Sequence, residues 1–204
     1  MDTATLEQFP TQEAARSRLA KADLEEAAVS FFGATEGELP GGSVLGSAQL
    51  LIEAGLLNDA CGVLAQALTR RAAVWWACSV ARVEVGGGPV EREMPALARA
   101  EAWVVDPEQP KAYAAHEASA EVGLACPAGC AALAAFLAGN SMAPPHLDPL
   151  PPLPHLAGLA VVGAVRIAAE RRQPAEADSN LRKLLELGLE IAQGQRLWTE
   201  ETVR

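Results

Sequence analysis

Few residues of this chain are spaced for chemistry. His116-Glu117 with Glu121 lies in a helical run and begins a zinc-protease pattern, in which two histidines one turn apart hold the metal and the glutamate between them activates water. The second histidine is missing. Cys126-Pro-Ala-Gly-Cys130 puts three residues between its thiols, where a zinc knuckle or a thioredoxin-type dithiol has two, and no second pair or histidine neighbour completes a ligand set. His146 and His155 stand among prolines, where solvent is the expected neighbour. Gly86-Gly-Gly88 runs into Pro89 and reads as a turn, and the chain has neither G-x-S-x-G nor a phosphate-cradling G-x-x-x-x-G-K-S/T. The acid pairs Glu25-Glu26 and Glu200-Glu201 suit solvated faces. We therefore assign no catalytic residue, no cofactor and no metal ligand from the sequence, and the expectation is a protein that is not an enzyme.

The chemistry that remains is recognition. Arg70-Arg71-Ala72-Ala73-Val74-Trp75-Trp76-Ala77-Cys78-Ser79-Val80-Ala81-Arg82 sets two tryptophans side by side among small residues. On a helix, Val74, Ala77, Cys78, Ala81 and Val85 form one stripe and Trp76, Val80 and Val83 an adjoining one. Trp75, about 100° around from Trp76, shares its side with Arg71, Ser79 and Arg82. An indole has roughly 150–250 Å² to cover and an N–H to satisfy. Trp76 thus reads as a core anchor, as does Trp103 further on, while Trp75, Arg71 and Arg82 are the candidate contacts for a protein partner. The alternative is that both indoles are core. Paired arginines at a helix start oppose the helix dipole, which suggests work for them outside that helix.

The elements that must position these residues read as helices. Half of the 204 residues are hydrophobic, yet aromatics make up only 4% and alanine dominates, which suits closely approaching helices. Val, Ile and Thr are scattered without a period of two, so sheet is disfavoured. The net charge of −10 comes with no basic cluster, which argues against nucleic acid as a partner. Met1-Asp-Thr-Ala-Thr-Leu-Glu7 lacks both a basic and an apolar signal region, so the expected location is the cytoplasm. The cysteines Cys61, Cys78, Cys126 and Cys130 are then reduced and read as small buried hydrophobes.

In chain order, residues 1–40 form an N-terminal arm, helical over Thr11 to Phe32, with a glycine- and proline-rich linker to Gly42. Residues 41–194 are the core domain. Its expected helices are Ser43 to Ala54 closed by Gly55, Asn58 to Leu68 capped by Asn58, the tryptophan helix, Glu91 to Val105 with Ala98, Ala102 and Val105 inward, and Glu108 to Val122. Val122 to Gly139 is uncharged and just long enough for a membrane span, but it is rich in Ala and Gly and holds Pro127. A buried helix from Pro127 to Leu137 is preferred. Leu156 to Ala169 is another internal helix, and Ala175 to Gln193 carries the stripe Leu181, Leu184, Leu185 and Leu189, ending at Gly194. Between Asn140 and His155 lies a proline-rich strap with Leu147, Leu150 and Leu153 at a threefold period. It is either a recognition segment or, the favoured reading, a rigid strap with its leucines pinned to the domain. Residues 195–204, with Trp198, read as a frayed tail or an attachment point. The fold class is all-α: an irregular array of about eight antiparallel helices, solenoid-like in style but without a fixed repeat.

The blocks Arg71-x-x-Val74-Trp75-Trp76-Ala77-Cys78, Glu101-Ala-Trp103-Val104, Pro127-Ala-Gly129, Ala143-Pro-Pro145 and Leu187-Gly-Leu-Glu-Ile-Ala192-x-Gly194 resemble an uncharacterised bacterial family. It is a domain of unknown function whose members are found beside type VI secretion genes for the spike, its PAAR-like tip and their adaptors. The resemblance covers about Pro40 to Gly194 and implies a cytosolic adaptor or chaperone-like protein that helps load a spike or effector. Two other classes stay open on the residues alone. One is a small metal- or thiol-dependent enzyme using His116, Glu117 and the cysteines; the other is a membrane-associated helical protein using Val122 to Gly139.

Overall fold

The computed structural model describes residues 44–83, 89–171, 173–196 and 198. The expected arm over residues 1–40 and the glycine turn at 86–88 lie outside the described residues, as does the tail apart from residues 195, 196 and 198. Among the described residues the regular elements are eight α-helices and two short 3-10 turns, with no strand. The helices are α1 (Val44–Glu53), α2 (Leu57–Ala67), α3 (Arg70–Arg82), α4 (Met94–Val105), α5 (Gln109–Val122), α6 (Pro127–Leu137), α7 (Leu156–Glu170) and α8 (Ala177–Ala192). The 3-10 turns, Glu91–Glu93 and Pro174–Glu176, lead into α4 and α8.

Helix ends follow local chemistry. Gly55 takes φ +76° and Gly194 φ +74°, the left-handed geometry that closes α1 and α8. Pro127 opens α6. Thr69 caps α3 by accepting from the Ala72 N–H. Asn58 does not cap α2. The turn at Gly55 is so tight that the Leu56 N–H bonds back to the Leu51 carbonyl, and burial of Leu56 and Leu57 starts the helix one residue before Asn58.

The uncharged α6 is buried on nearly all sides, as a helix without a polar face must be. It packs against α3, α4, α5 and α7, while α7 also packs against α2, α3 and α8. The array thus closes on itself around α3, α6 and α7, because helices far apart in sequence share one core. Small residues set the spacing. A Cβ on Gly129 would lie 1.9 Å from the Gly123 carbonyl oxygen, so α6 starts in backbone contact with the turn before it.

The face of α4 differs from expectation. Ala98 is exposed and Ala102 and Val105 are only half-buried; the buried residues are Ala96, Leu97, Ala100, Glu101, Trp103 and Val104. A reading that sends acids outward rotates this helix away from its true face, because Glu101 is buried and paired with Arg82. Glu93 is likewise buried and held by Arg171 through contacts of 2.8 and 2.5 Å.

Candidate partner-binding groove

The tryptophan helix α3 presents its two indoles to different neighbours. Trp76 is fully buried and its Nε1–H donates to the Leu184 carbonyl of α8 at 2.9 Å. That approach needs Gly188: a Cβ there would stand 2.7 Å from both Cε2 of Trp76 and Cδ2 of Leu64. Trp103 is the second core anchor; it is buried, and its Nε1 has no hydrogen-bond partner among the described residues.

Trp75 is more enclosed than an edge residue, at 6% exposure, so the alternative in which both indoles are buried describes the structure. Its Nε1–H donates to the Arg196 carbonyl at 3.0 Å, which ties the chain's C-terminal segment to α3. Arg71 does internal work. Its Nε donates to the Val104 carbonyl at 2.5 Å and its Nη2 to the Val105 carbonyl at 2.6 Å, so a cation at the start of α3 satisfies orphan carbonyls at the end of α4. The Arg71 guanidinium also sits 4.5 Å from the centre of the Trp198 ring.

Arg82, at the other end of α3, grips Glu101 in bidentate fashion, through Nε to Oε1 and through Nη2 to Oε2 at 2.6 Å. Glu101 is 1% exposed, and this partner stabilises its buried charge. The hydrogen-bonded carboxylate in turn holds the Arg82 guanidinium above its ordinary pKa, against the opposing effect of burial. Beneath the pair, burial drives the Cys78 thiol well above its usual range, and the Glu101 charge adds to that.

Trp75 and Arg82 meet at a groove of about 440 Å³, walled by Ser79 and Val83 of the same helix and its end, Leu187 of α8, and Gln195 and Arg196 beyond it. Arg82 uses two of its N–H groups on Glu101 and its side chain remains 35% exposed. A guanidinium has five such donors. The groove therefore combines an apolar floor with a hydroxyl, an amide and a guanidinium, a set suited to a protein segment with an apolar side chain beside free carbonyl or carboxylate oxygens. Leu187, Gln195 and Arg196 had no sequence reading as lining residues; the signal was Leu187-Gly188, where an apolar residue lies off the main leucine stripe next to the glycine that admits Trp76.

The other candidates for chemistry are dispersed. His116 stacks on Phe136 with ring centres 4.2 Å apart and planes 18° apart, and Glu117 and Glu121 are exposed beside it. The four cysteines are buried and free. Burial pushes Cys61 up to about 12, with the Arg166 charge pulling the other way, and pushes Cys130 up to about 11, helped by neighbouring Cys126. The Cys126 sulfur accepts from the Gly129 N–H at the start of α6, at 3.4 Å. Among the described residues no group of three or more His, Cys, Asp or Glu is placed to hold a metal ion, and no helix is long and apolar enough to cross a membrane.

Over residues 47–192 the sequence matches the model of a family of unknown function, DUF6931. The chain belongs to the DUF6931 family. The matched span runs from within α1 to the end of α8, so the DUF6931 core includes Trp75, Trp76, Arg82 and Leu187, while Gln195 and Arg196 follow it. No curated protein and no solved structure matches the chain.

Proposed function

We propose that this DUF6931 protein is a cytosolic, non-enzymatic adaptor with a chaperone-like role, and that it holds a protein partner in the groove between α3 and α8. One observation carries the reading. Trp75 and Arg82 of α3 and Leu187 of α8, far along the sequence from them, line one groove in which an apolar floor adjoins a partly exposed guanidinium. Such mixed, concave surfaces with an aromatic and an arginine are where binding energy concentrates in protein interfaces. The proposed partner is a component of a type VI secretion spike, its tip or an effector. That choice rests on the likeness of the Arg71 to Gly194 blocks to a family whose members are found beside such genes. Loading would then be a matter of contact: the adaptor shields a partner segment and releases it at the spike.

Co-purification tests this. Tagged full-length protein is recovered from cells that carry a type VI system, beside a Ser79→Arg variant that fills the groove without removing a buried side chain. The proposal expects a spike, tip or effector component with the wild type and a strong loss with the variant. Recovery of the chain by itself would overturn the partner, and an unchanged set of proteins with Ser79→Arg would overturn the groove.

A further inference from the structure

The segment after α8, read from the sequence as a frayed tail or an attachment point, is tied to the domain, and its ties have the form of a ligand on a receptor. Gly194, at φ +74°, ends α8, and the Gln195 N–H returns to the Glu190 carbonyl at 2.9 Å to close that helix. Beyond Gln195 the chain reaches across to α3. The Arg196 carbonyl accepts from Trp75 Nε1–H at 3.0 Å, and the Arg196 guanidinium pairs with Glu190 of α8. Two residues further on, the Trp198 ring centre lies 4.5 Å from the Arg71 guanidinium, and the ring packs, half-buried, against the core.

The receptor side stands without this segment. The Val104 and Val105 carbonyls fix the Arg71 guanidinium at 2.5 and 2.6 Å, Trp75 is part of α3, and Glu190 is part of α8. All three lie within residues 47–192, the span of the family core, whereas Arg196 and Trp198 follow it. The segment itself is lightly held. Residues 193–196 are exposed, and the Arg196–Glu190 pair, with side chains 62% and 40% exposed, adds little in water. That leaves one hydrogen bond and one ring contact, which puts the segment at the low-stability end of the fold, where local opening leaves the rest intact. Opening by itself strands the Trp75 N–H. Exchange for another segment that brings a carbonyl does not.

We propose that Arg71, Trp75 and Glu190 form a receptor for a protein segment of the pattern basic-x-aromatic, that Arg196-x-Trp198 of the same chain fills it in the free protein, and that a partner's segment of this pattern takes its place. The inference rests on the reading of the α3–α8 groove as the partner site and deepens it, since Trp75 and Arg196 also line that groove. The chemistry of the present occupant defines the partner. A Lys or Arg faces Glu190, the carbonyl of that same residue accepts the Trp75 N–H, and an aromatic ring two residues on meets the Arg71 guanidinium. A basic segment also suits a chain of net charge −10. The built-in occupant sets a threshold: being tethered, it competes at high effective concentration, so a segment with only one of the three groups is turned away. Gln195 stays in place during the exchange, because its N–H belongs to the closure of α8.

Hydrogen exchange of the indole N–H groups in the full chain, followed by NMR, tests the proposal, with the adjacent Trp76 as internal reference. Trp76 should exchange only with global unfolding, and Trp75 at least about tenfold faster through a local opening that low urea does not accelerate. Trp198→Ala should speed exchange at Trp75 at least about tenfold more, with the helical circular dichroism unchanged. A capped peptide Gln-Gly-Gln-Arg-Leu-Trp, copied from residues 193–198, should restore slow exchange at Trp75 when added to that variant. Peptides carrying the Arg196→Glu or the Trp198→Ala change should not. Equal exchange at Trp75 and Trp76 in the wild type would overturn the proposal, as would a peptide that leaves Trp75 unprotected or altered peptides that protect as well. None of these readouts needs a secretion component, so peptide protection without co-purification removes the named partner and keeps the receptor. Co-purification lost with Ser79→Arg but no peptide protection keeps the groove and removes the receptor.

Discussion

Gly188→Ala sets two known effects against each other, and the structure decides between them. Gly188 lies inside α8, where alanine is favoured over glycine by about 1 kcal/mol in an open helix. Here the new methyl would stand 2.7 Å from Cε2 and 2.9 Å from Cζ2 of Trp76, and 2.7 Å from Cδ2 of Leu64. The leucine methyl can turn aside. The indole cannot move freely, because it is fully buried and its N–H is bound to the Leu184 carbonyl one turn away. Overpacking of this kind costs about 1–3 kcal/mol, so once the helix preference is subtracted the net expectation is a loss of up to about 2 kcal/mol, and no gain. Gly163→Ala is the matched control. It too lies within a helix, α7, but its new Cβ would meet only Cys130 at 3.5 and 4.0 Å, ordinary contact. That variant should gain about 0.5–1 kcal/mol. Urea denaturation of both variants, followed by tryptophan fluorescence, reads the difference. If Gly188→Ala is stabilised as much as Gly163→Ala, Trp76 is not packed against α8 as described, and the wall that carries Leu187 is wrongly built.

Three further predictions probe the neighbourhood. Arg82→Ala leaves the buried Glu101 carboxyl without its partner, so it should cost about 3 kcal/mol, the low end for a broken buried pair because Arg82 is about one-third exposed; replacing both residues by Met and Leu should recover most of it, and a single mutant as stable as wild type would refute the role of the pair. Trp76→Phe should cost about 1 kcal/mol more than Trp103→Phe, since of these two only Trp76 has a bonded indole N–H; equal losses would contradict that distinction. The thiols make stability pH-dependent in alkali. Folding keeps Cys61, Cys78 and Cys130 protonated above the ordinary value of 9.0, so their stabilising effect is complete below pH 9 and is lost as pH rises toward the folded values of about 11 for Cys130 and about 12 for Cys61. Denaturation at stepped pH should show a plateau through neutrality and a decline beyond 9, and a rise over that interval would refute the assignment.

Much of the helical framework could be read from residue order because its signals are local and strong. Pro127 opening α6, the apolar α7, the leucine stripe of α8 and the glycines at 55 and 194 each fix an element by backbone geometry or periodicity. Where reading failed, a distant partner had changed the meaning of a residue. Glu101 and Glu93 look like surface acids until Arg82 and Arg171 are brought against them, and that inversion turned the expected face of α4. Arg71 looks like an outward-facing cation until the end of α4 supplies two carbonyls. Trp75 was placed beside Arg82 correctly by helical geometry, but its burial depends on a segment 121 residues further along the chain. The strap leucines suggested burial by type, whereas the hydrogen bonds of Gln109, Tyr113 and Ser141 hold the backbone and leave the side chains outside.

The claim that the groove is where this protein meets its partner can be tested by photo-crosslinking in living cells that carry a type VI system. A photoreactive residue is placed in turn at Ser79, at Gln195 and, as the control face, at exposed Glu117 on α5. The proposal expects positions 79 and 195 to capture the same spike, tip or effector component and position 117 to leave it free. Capture at 117 as strong as at the groove, or no capture at either groove position, would contradict it.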